Sequence, residues 1–377
     1  MNRKHKKLYK NSSSQDSAAD ANTAYKIAQD TVLQTNQDST NTAADANGTA
    51  YHVPVLLHES IEALVTNPDG IYADATFGGG GHSRAILEKL SGEGRLLAFD
   101  QDEDAILNSD IHDDRLVLVR NNFRFIENFA LFEKDRLTGK ETDRGTATDK
   151  AAYLDGVLAD LGVSSHQFDT AGRGFSFRFD APLDMRMNSK AGTSAADILN
   201  SYAQEDLERI LRIYGEVDNS RKIASLISTA RNTKAIVTTG DLYEAISPAL
   251  PKFAEHKALA KIYQALRIEV NHEMKSLEKF LSGAAAVLKP GGRLVVITYH
   301  SLEDRMVKNF IRSGNTGGEI VKDVFGNVKT PFKAVNRKPI LPAEEEISAN
   351  TRARSAKLRI AERVHDEEGW ENQKRHE

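Results

Sequence analysis

A chain of 377 residues with 50 Lys and Arg against 54 Asp and Glu, net charge −4, can hold one large domain or two ordinary ones and is not a wholly basic nucleic-acid coat. It has no cysteine, which excludes disulfides, zinc-thiolate sites, iron–sulfur clusters and every thiol nucleophile. Its apolar runs, the longest near Leu294-Val295-Val296-Ile297, fall far short of the roughly 20 residues that span a bilayer. The basic start Met1-Asn2-Arg3-Lys4-His5-Lys6-Lys7 runs into Ser, Asp and Asn, so no secretion signal, no membrane partner and a cytoplasmic location are expected.

Residues 1–50 are rich in Ser, Thr, Asn, Asp, Gln and Ala and cannot bury enough apolar surface to offset the entropy of ordering, so a disordered tail is expected there. From Tyr51 short apolar or β-branched runs alternate with helical patterns. The expected strands are Ile71–Ala75, Arg95–Asp100, Arg115–Arg120, Leu154–Leu161 and Arg293–Thr298. Such alternation implies a mostly parallel, doubly wound sheet with helices on both faces. Thr138 to Lys150 reads as a surface loop.

From about Asn188 to His256 the strands disappear and short helical patterns such as Gln204–Ile213 and Asn219–Arg231 follow, suggesting an inserted helical subdomain. A single long helix from Lys257 to Leu288 is expected next, with Leu259, Ile262, Leu266, Val270, Met274, Leu277 and Leu281 on one buried face. Lys289-Pro290-Gly291-Gly292 reads as its stop and a tight turn into the last inner strand. The resulting divisions are 51–187 and 257–365 for the two parts of the sheet domain, 188–256 for the insert, and 366–377 for a polar tail. Between Arg305 and Ala343 eight basic residues face two acidic ones, a local positive patch in an acidic chain.

Chemistry concentrates at the ends of the strands, where open α/β sheets collect ligands. After the first comes Asp74-Ala75-Thr76-Phe77-Gly78-Gly79-Gly80-Gly81-His82-Ser83, and the second ends at Asp100, placed to accept from both hydroxyls of a ribose. A nicotinamide fingerprint wants G-x-G-x-x-G, but Gly78 and Gly80 are followed by Ser83 at the third position. S-adenosylmethionine has no pyrophosphate and needs only open backbone, from Gly80, Gly81 and His82, and an acid for the ribose. Phe123, after the third strand, stands where an adenine could pack or where a core Phe belongs. Asp160, ending the fourth strand before Leu161-Gly162-Val163-Ser164-Ser165-His166-Gln167, is a carboxylate that packing explains poorly.

The blocks His52–Leu57, Asp74–Ser83, Asp160–Gln167, Arg173–Phe177, Pro182–Met187, Gln264–Ile268, His300–Arg305 and Arg352–Arg359 together resemble the RsmH (MraW) family of bacterial methyltransferases from about His52 to Arg363. The resemblance implies a class I S-adenosylmethionine-dependent methyltransferase with a Rossmann-like sheet. The implied reaction transfers a methyl group to N4 of a cytosine in the decoding centre of 16S rRNA of the small ribosomal subunit. Carried over by position, cofactor contacts fall on Gly80, Gly81, His82, Asp100, Phe123, Asp160 and Gln167. This chain departs from the family at Gly79, which replaces a larger residue, at His166, which replaces Pro, at Tyr299, which replaces Phe, and at Lys261, in an Arg position. Loss of the proline at His166 is expected to free the turn that aims Gln167.

Attack by an exocyclic amine needs an acceptor beside the nitrogen and no covalent adduct, which makes Asp160 the candidate catalytic residue. Methylation at C5 normally needs a thiolate, and this chain has none. Arg173, Phe175 and Phe177, from a stretch where arginines and aromatics alternate, are candidates for holding an unstacked base, with an inward-packed lid as the other reading. Arg267 on the long helix, and His300 and Arg305 after the last inner strand, are further RNA candidates. At the last site a helix cap at Ser301 competes. No metal-ligand set stands out, and the oligomeric state, a homodimer among the choices, is open. Two other functions are kept: an amine methyltransferase of this fold acting on protein or DNA, and a noncatalytic RNA-binding assembly factor.

Overall fold

The computed structural model describes residues 54–139, 152–190 and 192–364; the expected N-terminal tail, most of the 138–150 loop and the 366–377 tail lie outside the described residues. Seven strands form one sheet: β1 Ile71–Asp74, β2 Arg95–Asp100, β3 Leu116–Arg120, β4 Leu154–Asp160, β5 Leu288–Thr298, β6 Phe332–Ala334 and β7 Lys357–Arg363. Their order is β3-β2-β1-β4-β5-β7-β6. The pairs among β1 to β5 are parallel, and β7 runs antiparallel between β5 and β6.

The parallel strands are continuous apolar runs because both faces are covered. Leu97, Phe99, Val157, Ala159, Leu294 and Val296 face the helices Ile126–Thr138, Glu273–Val287 and Ser301–Ser313. Their neighbours Leu96, Leu158, Val295 and Ile297 point the other way, onto Leu57–Leu64 and Gly81–Lys89. The alternation within β5 follows from the period of two along a strand.

A separate apolar cluster joins the helices Ala195–Ser201, Gln204–Ile213, Ser220–Arg231 and Thr239–Ile246. It draws in residues on both sides of the 188–256 segment: Phe175, Met185 and Met187 before it, Leu259, Ile262 and Leu266 after it.

The expected single helix over 257–288 is two helices, Glu255–Asn271 and Glu273–Val287, broken at His272 in the left-handed region (φ 49). The apolar repeat runs straight through the break, so periodicity gives no sign of it. What holds it is Asn271, whose Nδ2 donates to Met185 O (2.8 Å) and whose Oδ1 accepts from Met187 N (2.8 Å). Residues 289–292, expected as a turn, belong to the start of β5, with a register shift against β4 between Leu154 and Gly156.

Candidate functional site

β1 leads to β2 on one side and the chain returns through β4 on the other, so the switch point lies between β1 and β4. A crevice with ≈ 410 Å³ of empty space opens at these strand ends, lined among others by Thr76, Gln101, Phe123, Gly162, Asn271 and Glu303.

At the end of β2 Asp100 is held in a fixed orientation: Oδ2 accepts from Gly78 N (2.8 Å) and Oδ1 from Asp102 N (2.8 Å). Burial pushes its carboxyl up to about 6, against those two backbone donors and with help from Asp102 and Asp74. Asp160 is held similarly. Its backbone N donates to Thr76 Oγ1 (2.7 Å), Tyr299 donates its hydroxyl to Oδ1 (2.7 Å), and His82 Nδ1 lies 3.8 Å from Oδ2. Burial raises Asp160 too, to about 6, while His82 and Tyr299 pull it down and Asp74 and Glu303 push it up.

Fully buried Asp74 accepts from Thr76 N (3.0 Å) and from Ser83 Oγ (2.7 Å). Ser83, which breaks the dinucleotide fingerprint, thus anchors a third carboxylate at the same strand ends. Asp74 and Ser83 were not singled out from sequence; a Ser nine residues after an acid at a strand end was the available signal.

The glycine loop differs in detail from expectation. A side-chain atom at Gly81 would meet Pro54 at 2.3 Å and one at Gly80 would meet Ile111 at 2.9 Å, whereas nothing lies within 4 Å of such an atom at Gly79. Gly80 and Gly81 are therefore needed for packing, and the open backbone is over Gly78 and Gly79. His82 is buried, with Nε2 3.3 Å from Val55 O. Phe123 packs edge-on against Phe280 (centroids 5.3 Å) and also lines the crevice.

Gln167 is not a free side chain. Its Oε1 accepts from Ser164 N (3.2 Å) and its Nε2 donates to Asp102 Oδ2 (2.8 Å), while Ser164 Oγ accepts from Gln167 N. This capping box fixes the turn that loss of a proline at His166 was expected to free, and leaves His166 exposed beside Asp104.

Several RNA candidates also turn inward. Arg173 reaches Asp102 (2.9 Å) and the carbonyls of Arg186 (3.0 Å) and Met187 (3.1 Å), a clamp between the sheet and the 182–187 segment. Phe175 is buried and Phe177 packs on Tyr263 (5.2 Å); of the three phenylalanines only Phe179 is exposed. Arg267 forms a two-bond pair with Glu273 (2.8 and 2.9 Å) across the helix break, so its charge is spent inside the wall. His300, rather than Ser301, caps Ser301–Ser313, with Nδ1 accepting from Glu303 N (3.4 Å). Arg305 remains exposed, 3.3 Å from Glu216.

Glu273, His300 and Glu303 bring possible ligand atoms within 4.8 Å of one another. Arg267 already takes both Glu273 oxygens, and His300 Nε2 lies 3.0 Å from Glu303 Oε1. Burial would raise Glu303, but His300 and Arg267 hold it below the usual range.

Three carboxylates at neighbouring strand ends, two of them raised by burial and by nearby acids, Asp74 among them, form a site that favours a cationic ligand and repels a pyrophosphate. S-adenosylmethionine, with a sulfonium and an ammonium, fits this set; a dinucleotide does not. Its affinity is expected to fall as pH drops below about 6, because protonation of Asp100 and Asp160 removes an anionic acceptor for the ribose and the negative field that favours a cation. The sign for the free protein is opposite. Both acids lie above their usual 3.8, so their contribution to stability is full below about pH 4 and is lost as pH rises through 6. Calorimetric titration of the cofactor at pH 5 to 8 checks the first trend; affinity that does not change over that range would contradict it.

The profile of the MraW methylase family matches residues 49–364. A ribosomal RNA small subunit methyltransferase H of Bacteroides fragilis is 55% identical over 315 residues, 84% of this chain and 98% of the relative. One of that name from Flavobacterium johnsoniae is 50% identical over 314 residues, 83% and 98% of the two chains. A solved rRNA methylase from Streptococcus thermophilus aligns over 84% of this chain and all of its own at 14% identity, with a TM-score of 0.31, too loose a likeness to carry an argument.

Proposed function

The chain belongs to the MraW methylase family, and we propose that it methylates N4 of a cytosine in the decoding centre of 16S rRNA, within the small ribosomal subunit, using S-adenosylmethionine. The observation that carries the reading is Asp160 at the end of β4, beside the switch point, one oxygen held by the Tyr299 hydroxyl and the other 3.8 Å from His82 Nδ1.

The cofactor supplies an electrophilic methyl carbon. Asp100 would hold its ribose, Phe123 would pack along its adenine, and open backbone at Gly78 and Gly79 would leave room for the rest. The cytosine amine is a poor nucleophile because its lone pair is delocalised into the ring. Oδ2 of Asp160, accepting from that amine, would aim the nitrogen lone pair and take up positive charge as it develops. With no cysteine in the chain, the covalent route to C5 has no nucleophile.

Labelled cofactor offered with unmodified small subunits, naked rRNA, DNA and ribosomal proteins tests the reading. Label at cytosine N4 in rRNA is expected. Label on protein or DNA, or at C5, would replace it, and no label with intact RNA binding would favour an assembly factor.

A further inference from the structure

The helix Ser301–Ser313 starts at the crevice and runs away from it, and Arg305, Lys308 and Arg312 lie on its exposed face at spacings of three and four. Arg305 and Arg312 are separated by about 10 Å along the axis. Arg312 leads on to the 318–329 segment through Gly318 O (3.5 Å).

That segment is a preformed hairpin. Lys322 bridges Val328, Lys329 N donates to Val321 O (2.7 Å), and Asp323 N donates to Asn327 O (2.9 Å). Asp323 Oδ1 accepts from the backbone of Phe325 (2.8 Å) and Asn327 (2.9 Å), so the carboxylate is consumed in folding the turn. At the tip Val324 is 93% and Phe325 78% exposed, with Ile320 and Val321 half exposed below them. Lys308 and Lys322 are in no ion pair among the described residues. In a chain of net charge −4 these cations form a positive strip that favours phosphate, ending in an aromatic presented by the turn.

We propose that Arg305, Lys308, Arg312 and the Ile320–Lys329 hairpin form a docking surface for rRNA away from the target base, the three cations following the phosphates and Phe325 stacking on an unpaired base. This rests on the reading that rRNA is the substrate. An aromatic face with adjacent lysines suits RNA because stacking tolerates any base while phosphate contact supplies the attraction.

Filter binding of the full-length protein to small subunits and to protein-free 16S rRNA, at two salt concentrations, tests it without requiring methyl transfer. Phe325→Ala is expected to weaken binding to both RNAs about tenfold. The Lys308→Ala/Arg312→Ala pair should lower the slope of log affinity against log salt by up to about 1.8. Cofactor affinity, measured on each variant, reports an intact fold. Unchanged affinity in both variants would overturn the proposal, as would a loss seen only with small subunits, which would assign the contact to ribosomal protein. Intact binding without label transfer would instead sink the methylation reading and leave the docking surface standing.

Discussion

Asp160→Asn is expected to lower turnover on rRNA by about 10²- to 10³-fold at saturating cofactor, with the protein still folded. The amide is isosteric. Tyr299 can still donate to its remaining oxygen, and the Thr76 contact uses the backbone N–H of residue 160, so the strand end keeps its shape. What is lost is the anionic acceptor at the end of β4. Tyr299→Phe separates orientation from charge, because it leaves the carboxylate and removes only its donor. Since that hydrogen bond lowers Asp160 from a value already raised to about 6, its loss should move the acid limb of kcat/KM to higher pH, with less than about tenfold loss well above it. Near-normal turnover of Asp160→Asn would end the catalytic assignment; an unmoved limb in Tyr299→Phe would reduce the tyrosine to packing.

Gly174→Ala should destabilise the protein by roughly 3 kcal/mol, by combining left-handed strain with backbone overpacking. Gly174 has φ 70, and a Cβ there would lie 2.3 Å from Pro182 O and 2.9 Å from Asp184 N, neither of which can swing aside as a side-chain tip can. The damage would reach the site, since Arg173 ties Asp102, beside Asp100, to the 186–187 backbone. Gly172→Ala is the control two residues away, where nothing lies within 4 Å of the added atom and a change within about 0.5 kcal/mol is expected. Thermal melts of the two variants decide it; equal melting points would mean the 182–184 segment yields.

Strands β1 to β5 were legible because they are apolar runs buried on both faces, and their acidic ends stood out for lack of a packing reason. β7 was not, because Lys357, Arg359 and Arg363 interrupt its apolar residues. Arg359 is nevertheless buried, bonded to Asp304 (2.6 Å) from a helix some 55 residues earlier. The same limit applied to Arg173, whose partners Asp102 and Asp104 are about 70 residues away, and to Arg267, whose partner lies just past an unforeseen break. A charged residue reads as a surface group until its counter-charge is placed, and long-range pairing leaves no local trace. At Gln167 the signal was local: Ser164 and Gln167 spell a capping box, which stands beside the ligand role that the resemblance implies.

The insertion of β7 between β5 and β6 has a consequence for how the chain reaches its final form. Synthesis is vectorial, and β7 is the last strand to emerge. Until it does, β5 has an unpaired edge and β6 has no neighbour, although every acid of the crevice has already been made. A nascent chain that has not yet released Lys357–Arg363 therefore carries these acids on an unfinished sheet with an adhesive flank.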